Sequence, residues 1–261
     1  MNSMHLEEEI ITEILQKFSQ IEPYVVDIGA ADGITFSNSF KLISDLGWRG
    51  TLIEARPEPT QSLIGNHLGS QARLSIVNAY VNPSNICELL RGLNVPNQFG
   101  FLSLDIDSFE YDLLDEILAQ FRPSVICVEV NERFPPNIDY RLVYEEGKTY
   151  PDLTLVSSAS VSCMNKMLES HFYCPLHLEY NNLLAVARDS VGSIRDSIRS
   201  SKSITQIYNE GYLFRADRAK EFPWNERFSH WQYSTLQEIS EEMASLTKGF
   251  NYSFHLDHSS H

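Results

Sequence analysis

The sequence predicts an α/β fold, a doubly wound, mostly parallel sheet with helices on both faces, followed by a helical, aromatic-rich C-terminal appendage. Three observations carry this. From Tyr24 onward, short apolar runs alternate with segments of helix length, the rhythm of parallel strands joined by crossover helices. The first five runs end at or beside a polar side chain, Asp27, Glu54, Asn78, Asp105 and Glu129, and open parallel sheets bind ligands at their strand carboxyl ends. Finally, 261 residues with 43% apolar content suffice for one large domain with an appendage.

In chain order, Leu6, Ile10, Ile11, Ile14, Leu15 and Phe18 recur at helical spacing with acids between them, so residues 1–20 read as an amphipathic helix whose acids face solvent. Strands are expected at Tyr24–Ile28, Thr51–Glu54, Leu74–Ala79, Phe101–Asp105 and Ser124–Val130. Pro135-Pro136 and the polar stretch to Pro151 read as a long loop, a candidate lid over the sheet edge. Ser158–Ser170 shows helical spacing, and His171–Leu178 with Leu183–Val186 form a closing hairpin around Glu179-Tyr180-Asn181-Asn182. The principal domain is thus residues 21–190. Residues 191–261 form an extension, helical from Ile194, with aromatics at Phe222, Trp224, Phe228, Trp231 and Tyr233. Packing of these rings on the core is the simpler reading, beside a substrate lid, a pocket lining or a contact between copies in a homo-oligomer.

Charge excludes some partners. Asp and Glu number 35 against 20 Lys and Arg, a formal charge of −15 with no basic run, so a nucleic-acid backbone would be repelled. No stretch has the length of a transmembrane helix, and the start of the chain, with Glu7 to Glu9, is not a secretory signal. No membrane partner and a cytoplasmic location are expected. Cys87, Cys127, Cys163 and Cys174 lack a C-x-x-C spacing and read as free thiols.

The most specific segment is Tyr24-Val25-Val26-Asp27-Ile28-Gly29-Ala30-Ala31-Asp32-Gly33. An apolar strand breaks into an acid and a small-residue turn that lets the backbone approach a ligand. A dinucleotide loop has the form G-x-G-x-x-G. Here the form is D-x-G-x-A-x-G, and its leading carboxylate would repel a pyrophosphate but hold a cationic amino group. That favours S-adenosylmethionine over NAD, with Asp27, Gly29, Ala31, Asp32 and Gly33 as cofactor-binding residues. Glu54, about 20 residues on, suits ribose hydroxyls. The plainer alternatives are a tight strand-to-helix turn and a surface pairing of Glu54 with Arg56 or Arg49.

Chemistry is expected at Asp105 and Asp107, two apart on an extended chain and so directed alike, with Asp105 also among the expected cofactor-binding residues. Glu129 and Asn131 repeat the pattern on the next strand. Oxygens from neighbouring strand ends suit a hard cation such as magnesium, with Asp105, Glu129 and Asn131 as candidate ligands, and a bound ion could acidify a hydroxyl. Alternatively one acid is a general base and the others cap a helix over Ser108–Leu118. His67, His171 and His177 are further candidate bases, although lone histidines near apolar runs are more often structural.

Val25-Val26-Asp27-Ile28-Gly29-Ala30, Leu52-Ile53-Glu54-Ala55, Ser103-Leu104-Asp105-Ile106-Asp107-Ser108-Phe109-Glu110 and Cys127-Val128-Glu129-Val130-Asn131 together resemble class I S-adenosylmethionine-dependent methyltransferases, most closely the FkbM-like group, over about residues 20 to 190. The resemblance implies a seven-stranded, Rossmann-like methyltransferase sheet. It also implies that Asp27, Gly29 and Ala31 contact the methionine part, Glu54 the ribose, and Asn78 and Ala79 the adenine. FkbM-like enzymes typically methylate hydroxyl oxygens of natural products and sugars, so a small hydroxylated acceptor is expected. Two departures stand out: Ala31 replaces the usual Gly, and Glu-x-Asn replaces the Asp-Asn of the metal-dependent catechol-type enzymes.

No Asn-Pro-Pro-Tyr or Asp-Pro-Pro-Tyr follows the fourth strand, which disfavours methylation of nucleobase nitrogens. Direct in-line transfer to an oxygen is the simplest reaction. The alternatives are a non-catalytic nucleoside-binding or scaffold protein with this fold, and an NAD-dependent oxidoreductase, against which the loop spacing argues.

Overall fold

A computed structural model gives the structure of residues 4–18, 20–148, 150, 156–188, 202–246 and 251–256. Seven strands form one sheet in the order β3-β2-β1-β4-β5-β8-β7, with β1 Tyr24–Ile28, β2 Arg49–Glu54, β3 Leu74–Asn78, β4 Gln98–Leu104, β5 Arg122–Glu129, β7 Tyr173–Glu179 and β8 Asn182–Ala187. β1 to β5 pair in parallel, and β8 runs antiparallel to both β5 and β7. The expected mostly parallel, seven-stranded sheet is therefore present. Register sets the site: Asp27 lies opposite Leu52 on β2 and Ser103 on β4, and Glu54 lies opposite Asn78. The chain runs outward through β1, β2 and β3, then returns to place β4 on the other flank of β1. The carboxyl ends of β1 and β4 thus form the topological switch point, where such sheets leave a crevice.

Strand alternation sends successive side chains to opposite faces. Val26, Ile28 and Leu102 join one core with α4 Ile86–Gly92, α5 Glu110–Leu118 and α6 Val161–Ser170. Val25, Leu52 and Phe101 join the other with α1 Met4–Gln16, α2 Phe40–Ser44 and α3 Pro57–Asn66. The helix starts follow local chemistry: Pro57 opens α3, where its fixed φ suits the first turn, and the Ser160 hydroxyl accepts the Cys163 amide at 3.3 Å to cap α6.

The C-terminal part departs from expectation. Within the stretch read as a loop, Ile138, Tyr140 and Leu142 are buried on alternate positions of β6 Ile138–Leu142, which pairs antiparallel with β9 Tyr252–Leu256. A period-two apolar pattern of three residues outweighs the flanking prolines, so this part of the candidate lid is a ribbon. The extension is accordingly not purely helical. Phe228 and Trp231 pack with Phe134, Ile138, Tyr140, Ile239 and Met243 in a third core, whereas Tyr233 is 92% exposed. Ile194 and the expected boundary between residues 190 and 191 lie outside the described residues. Among the described residues, no helix is long and apolar enough to cross a membrane.

Candidate functional site

A cavity of about 620 Å³ opens at the switch point, lined by the loop after β1, the ends of β2 and β4, and Ala79, Tyr80 and Val81 after β3, a size typical of small-molecule sites. Asp27, at its base, accepts the Ser39 hydroxyl at 2.5 Å. Burial pushes its carboxyl up to about 6, against the lowering hydrogen bonds of Ser39 and Ser103. Gly29 is required by the fold itself: at φ +86°, a Cβ would fall into the Asp105 carbonyl. Its small size serves the approach of β4 to the loop before it serves a ligand.

Ala31 sits in the left-handed region at φ +46°, and its amide donates to Glu54 Oε2 at 2.9 Å. Glu54 Oε1 accepts the Arg56 amide at 2.8 Å and Nε at 3.0 Å. Glu54 thus pairs with Arg56 and also lines the cavity, from a buried position rather than at the surface. Arg49 pairs instead with Glu22.

Three expected cofactor residues are turned away from the lining. Asp32 caps its own turn, accepting the amides of Ile34 and Thr35 at 2.9 and 2.7 Å. Gly33 at φ +73° lies against Leu63 and His67. Asn78 donates to the carbonyls of Glu54 and Ala55 at 2.9 and 3.0 Å, bracing β2 against β3.

The acids after β4 are arranged differently from an extended pair. β4 ends at Leu104, and Asp107 takes a left-handed φ of +57°, so alternation no longer governs. Asp105 lines the cavity from the interior and Asp107 stands exposed at its rim. The third acid brought in is Glu110, fully buried. Its Oε1 accepts the amides of Ile106 and Ser108, each at 3.0 Å, which pins the turn carrying Asp107. Oxygens of Asp105, Glu110 and Glu129 lie within 4.8 Å of one another.

Burial first, then the neighbouring carboxylates, raises Asp105 and Glu129 well above the usual range. Burial also raises Glu110, opposed by the amides it accepts. Among the described residues, Glu110 Oε2 and Glu129 Oε2 are buried with no hydrogen-bond partner. Three such carboxylates cannot all ionise unaided and call for a shared proton or a cation.

Asn131, expected beside Asp105 and Glu129 as a metal ligand, does not join them. Its Oδ1 accepts the Arg133 amide and Nη1, each at 3.3 Å, and its Nδ2 donates to the Ser157 carbonyl at 2.9 Å. The expected magnesium set therefore does not fit: its neutral oxygen ligand already faces a guanidinium.

A second cavity of about 320 Å³ meets the first at Asp107, which lines both. Glu129, Asn131, Arg133, Asn181, Phe222 and Trp224 are in its lining. The expected aromatic cluster is thus divided, with Phe222 and Trp224 lining a pocket while Phe228 and Trp231 fill a core. None of the three histidines lines either cavity. His67 contacts the Gly33 carbonyl, His171 pairs with Asp115, and His177 with Glu179.

Sequence reasoning missed Glu110, Arg133 and Asn181 as site residues. For Glu110 a signal existed: with Leu113, Leu114 and Ile117 it occupies the buried stripe of α5, and an acid on an apolar helical face needs an explanation. Arg133 and Asn181 lie on connections whose placement no local pattern gives.

No family model and no curated protein matches the chain. Solved structures similar to it include an O-methyltransferase from Bacillus cereus in complex with SAH, at 15% identity over 70% of this chain and 80% of that one, TM-score 0.45. A SAM dependent methyltransferase from Aquifex aeolicus matches at 15% identity over 67% and 88%, TM-score 0.39. A putative sarcosine dimethylglycine methyltransferase from Galdieria sulphuraria matches at 11% identity over 96% and 83%, TM-score 0.42. At such identities and scores the likeness is one of fold, and no residue's role follows from it.

Proposed function

We propose that this chain is an S-adenosylmethionine-dependent methyltransferase, allied to the FkbM-like group, that methylates a hydroxyl of a small molecule such as a natural product or sugar. The observation that carries this is the two-compartment site at the switch point. The larger cavity, with Asp27, Glu54 and Asp105, has the size and the acids for a cationic nucleoside cofactor. The smaller one, opening at Asp107, receives the acceptor.

The acceptor oxygen attacks the sulfonium methyl in line. When bound, S-adenosylmethionine would supply the methyl group, the C–O bond forming as the S–CH3 bond breaks with release of the neutral thioether S-adenosylhomocysteine, and the Asp107 carboxylate would take the hydroxyl proton. The residues supply orientation and proton removal. No step passes through a metal, and magnesium enters as a variable of the experiment. The acidic surface makes nucleic acid a poor partner.

Calorimetric titration with S-adenosylhomocysteine, with and without magnesium and with NAD as control, tests the cofactor. Micromolar binding that weakens about 10- to 100-fold in Glu54→Ala is expected, the loss of one or more charge-assisted hydrogen bonds. Binding of NAD alone, or unaltered binding in both Asp27→Ala and Glu54→Ala, would sink the assignment. Binding without turnover on any hydroxylated acceptor would favour the non-catalytic alternative.

A further inference from the structure

We infer that the smaller cavity takes a hydroxylated amine, its ammonium held by Glu129 against Phe222 and Trp224 and its hydroxyl directed past Asp107 toward the larger cavity. This rests on the methyltransferase reading of the neighbouring compartment and names the class of acceptor. At about 320 Å³ the space lies at the small end of ligand sites, enough for one ring and its substituents.

The polar side of that space is short of positive charge. Glu129 lines the cavity and accepts the Asn181 amide on Oε1 at 3.0 Å, and its Oε2, closed to solvent, meets no donor among the described residues, a costly state for a carboxylate oxygen. Arg133, the cation in the lining, is committed elsewhere: Nε donates to Asn225 Oδ1 at 2.7 Å, Nη1 to Asn131 Oδ1 at 3.3 Å, and Nη2 lies 3.9 Å from Glu132. A positively charged N–H donor is what the site calls for.

The apolar side suits an organic cation. Phe222 and Trp224 stand with ring centroids 5.3 Å apart and tilted by 58°, and Trp224 remains 52% exposed. Phe222 is braced by stacking on Tyr180 at 5.1 Å. An alkylammonium is weakly hydrated along its carbon side and gains from aromatic rings. Magnesium instead keeps several waters in a near-octahedral shell, and Asn131, the expected third ligand, is bonded to Arg133. The net charge of −15 further draws cationic solutes toward the site.

The test is calorimetric titration of the whole chain, free and saturated with S-adenosylhomocysteine, with tyramine against 4-ethylphenol and D-glucosamine against D-glucose. The amine of at least one pair should bind about tenfold or more tightly than its neutral partner, a preference falling below about threefold in Glu129→Gln. Trp224→Ala should weaken the amine about fivefold or more while its S-adenosylhomocysteine titration matches the parent. Equal binding within both pairs, or no amine binding, overturns the inference. So does magnesium that saturates, competes with the amine and is lost in Glu129→Gln, because the acids then serve a metal. Failure of S-adenosylhomocysteine to bind would defeat the cofactor reading separately, since the amine preference is also read on the free protein.

Discussion

The two compartments are built on opposite terms. At and behind the larger cavity Glu54 holds the amides of Ala31 and Arg56, Asp32 those of Ile34 and Thr35, and Asn78 two carbonyls, while Asn38 Oδ1 in the lining is buried without a partner among the described residues. Around the smaller cavity and behind it, Glu110 and Glu129 each keep a buried oxygen without a partner among the described residues, and burial raises both carboxyls as well as that of Asp105 in the lining of the larger cavity. The first region is a finished cradle whose shape exists before any ligand. The second holds unneutralised acidity, which is the state expected where a proton is to be received and a charge bound.

The largest effect should come from breaking the cradle at its tightest point. Gly29→Ala drives a Cβ into the Asp105 carbonyl, with a cost of about 4 kcal/mol or more and a fall in Tm of roughly 10 °C. Gly65→Ala is the control: it lies in α3 with nothing near the added Cβ and should stabilise by about 0.5–1 kcal/mol. Equal melting of the two variants would remove the claim that Gly29 holds β4 to the loop.

Next is the meeting point of the compartments. Asp107→Asn preserves a residue that tolerates left-handed φ while deleting the proposed proton acceptor. Turnover should drop about 10²- to 10⁴-fold, with S-adenosylhomocysteine affinity changed by less than about threefold. A loss of affinity as large as the loss of turnover would move Asp107 from the acceptor side to the cofactor side.

The buried acids also leave a signature in stability. Contrary to the expected solvent-facing acids of α1, Glu7 is buried and accepts the Asn182 amide at 3.0 Å; burial pushes it up to about 7, and Asp27 up to about 6. Both folded values are raised above the unfolded ones, so the native state binds protons more tightly and unfolding becomes easier as pH rises from about 4 to 7. Glu7→Gln keeps the carbonyl acceptor for Asn182 and removes the charge. It should raise stability at pH 8 by about 1–3 kcal/mol and leave pH 4 almost unchanged, read from urea midpoints at the two pH values. A variant less stable than the parent at pH 8 would show that the ionised Glu7 is a net asset.

The same contrast explains what could be read from the amino acids alone. The cradle is local: Asp27, Gly29, Ala31 and Glu54 fall within two consecutive strand-and-turn units, and strand alternation with small-residue turns is visible in a short window. The acceptor side joins residues distant in the chain, Asp107, Glu129, Asn181 and Trp224, and no periodicity specifies such a meeting. Asp105 and Asp107 were misplaced relative to one another because the chain leaves β4 at Leu104 and alternation holds only within a strand. Asn131 was displaced by Arg133, whose buried guanidinium takes the nearest oxygen acceptors, a competition that spacing does not record. β6 was obscured because its partner β9 lies more than a hundred residues later.

The smallest expected effect sharpens the comparison at Ala31, where the cradle departs from the glycine usual in such loops. At φ +46° an alanine carries left-handed strain of about 1 kcal/mol, yet its amide reaches Glu54 Oε2 at 2.9 Å, so the strain is held in place by the loop's hydrogen bonding. Ala31→Gly removes the strain but loosens the unfolded chain, and the two contributions oppose each other. The net change in stability should lie between zero and about +1 kcal/mol, with cofactor affinity altered less than about threefold. Ala31→Val crowds the same backbone with a β-branched side chain and should destabilise by about 1–2 kcal/mol. If glycine instead destabilised the protein or weakened S-adenosylhomocysteine binding tenfold, the Ala31 methyl would itself be a contact, and the cradle would owe its shape to packing as well as to its backbone.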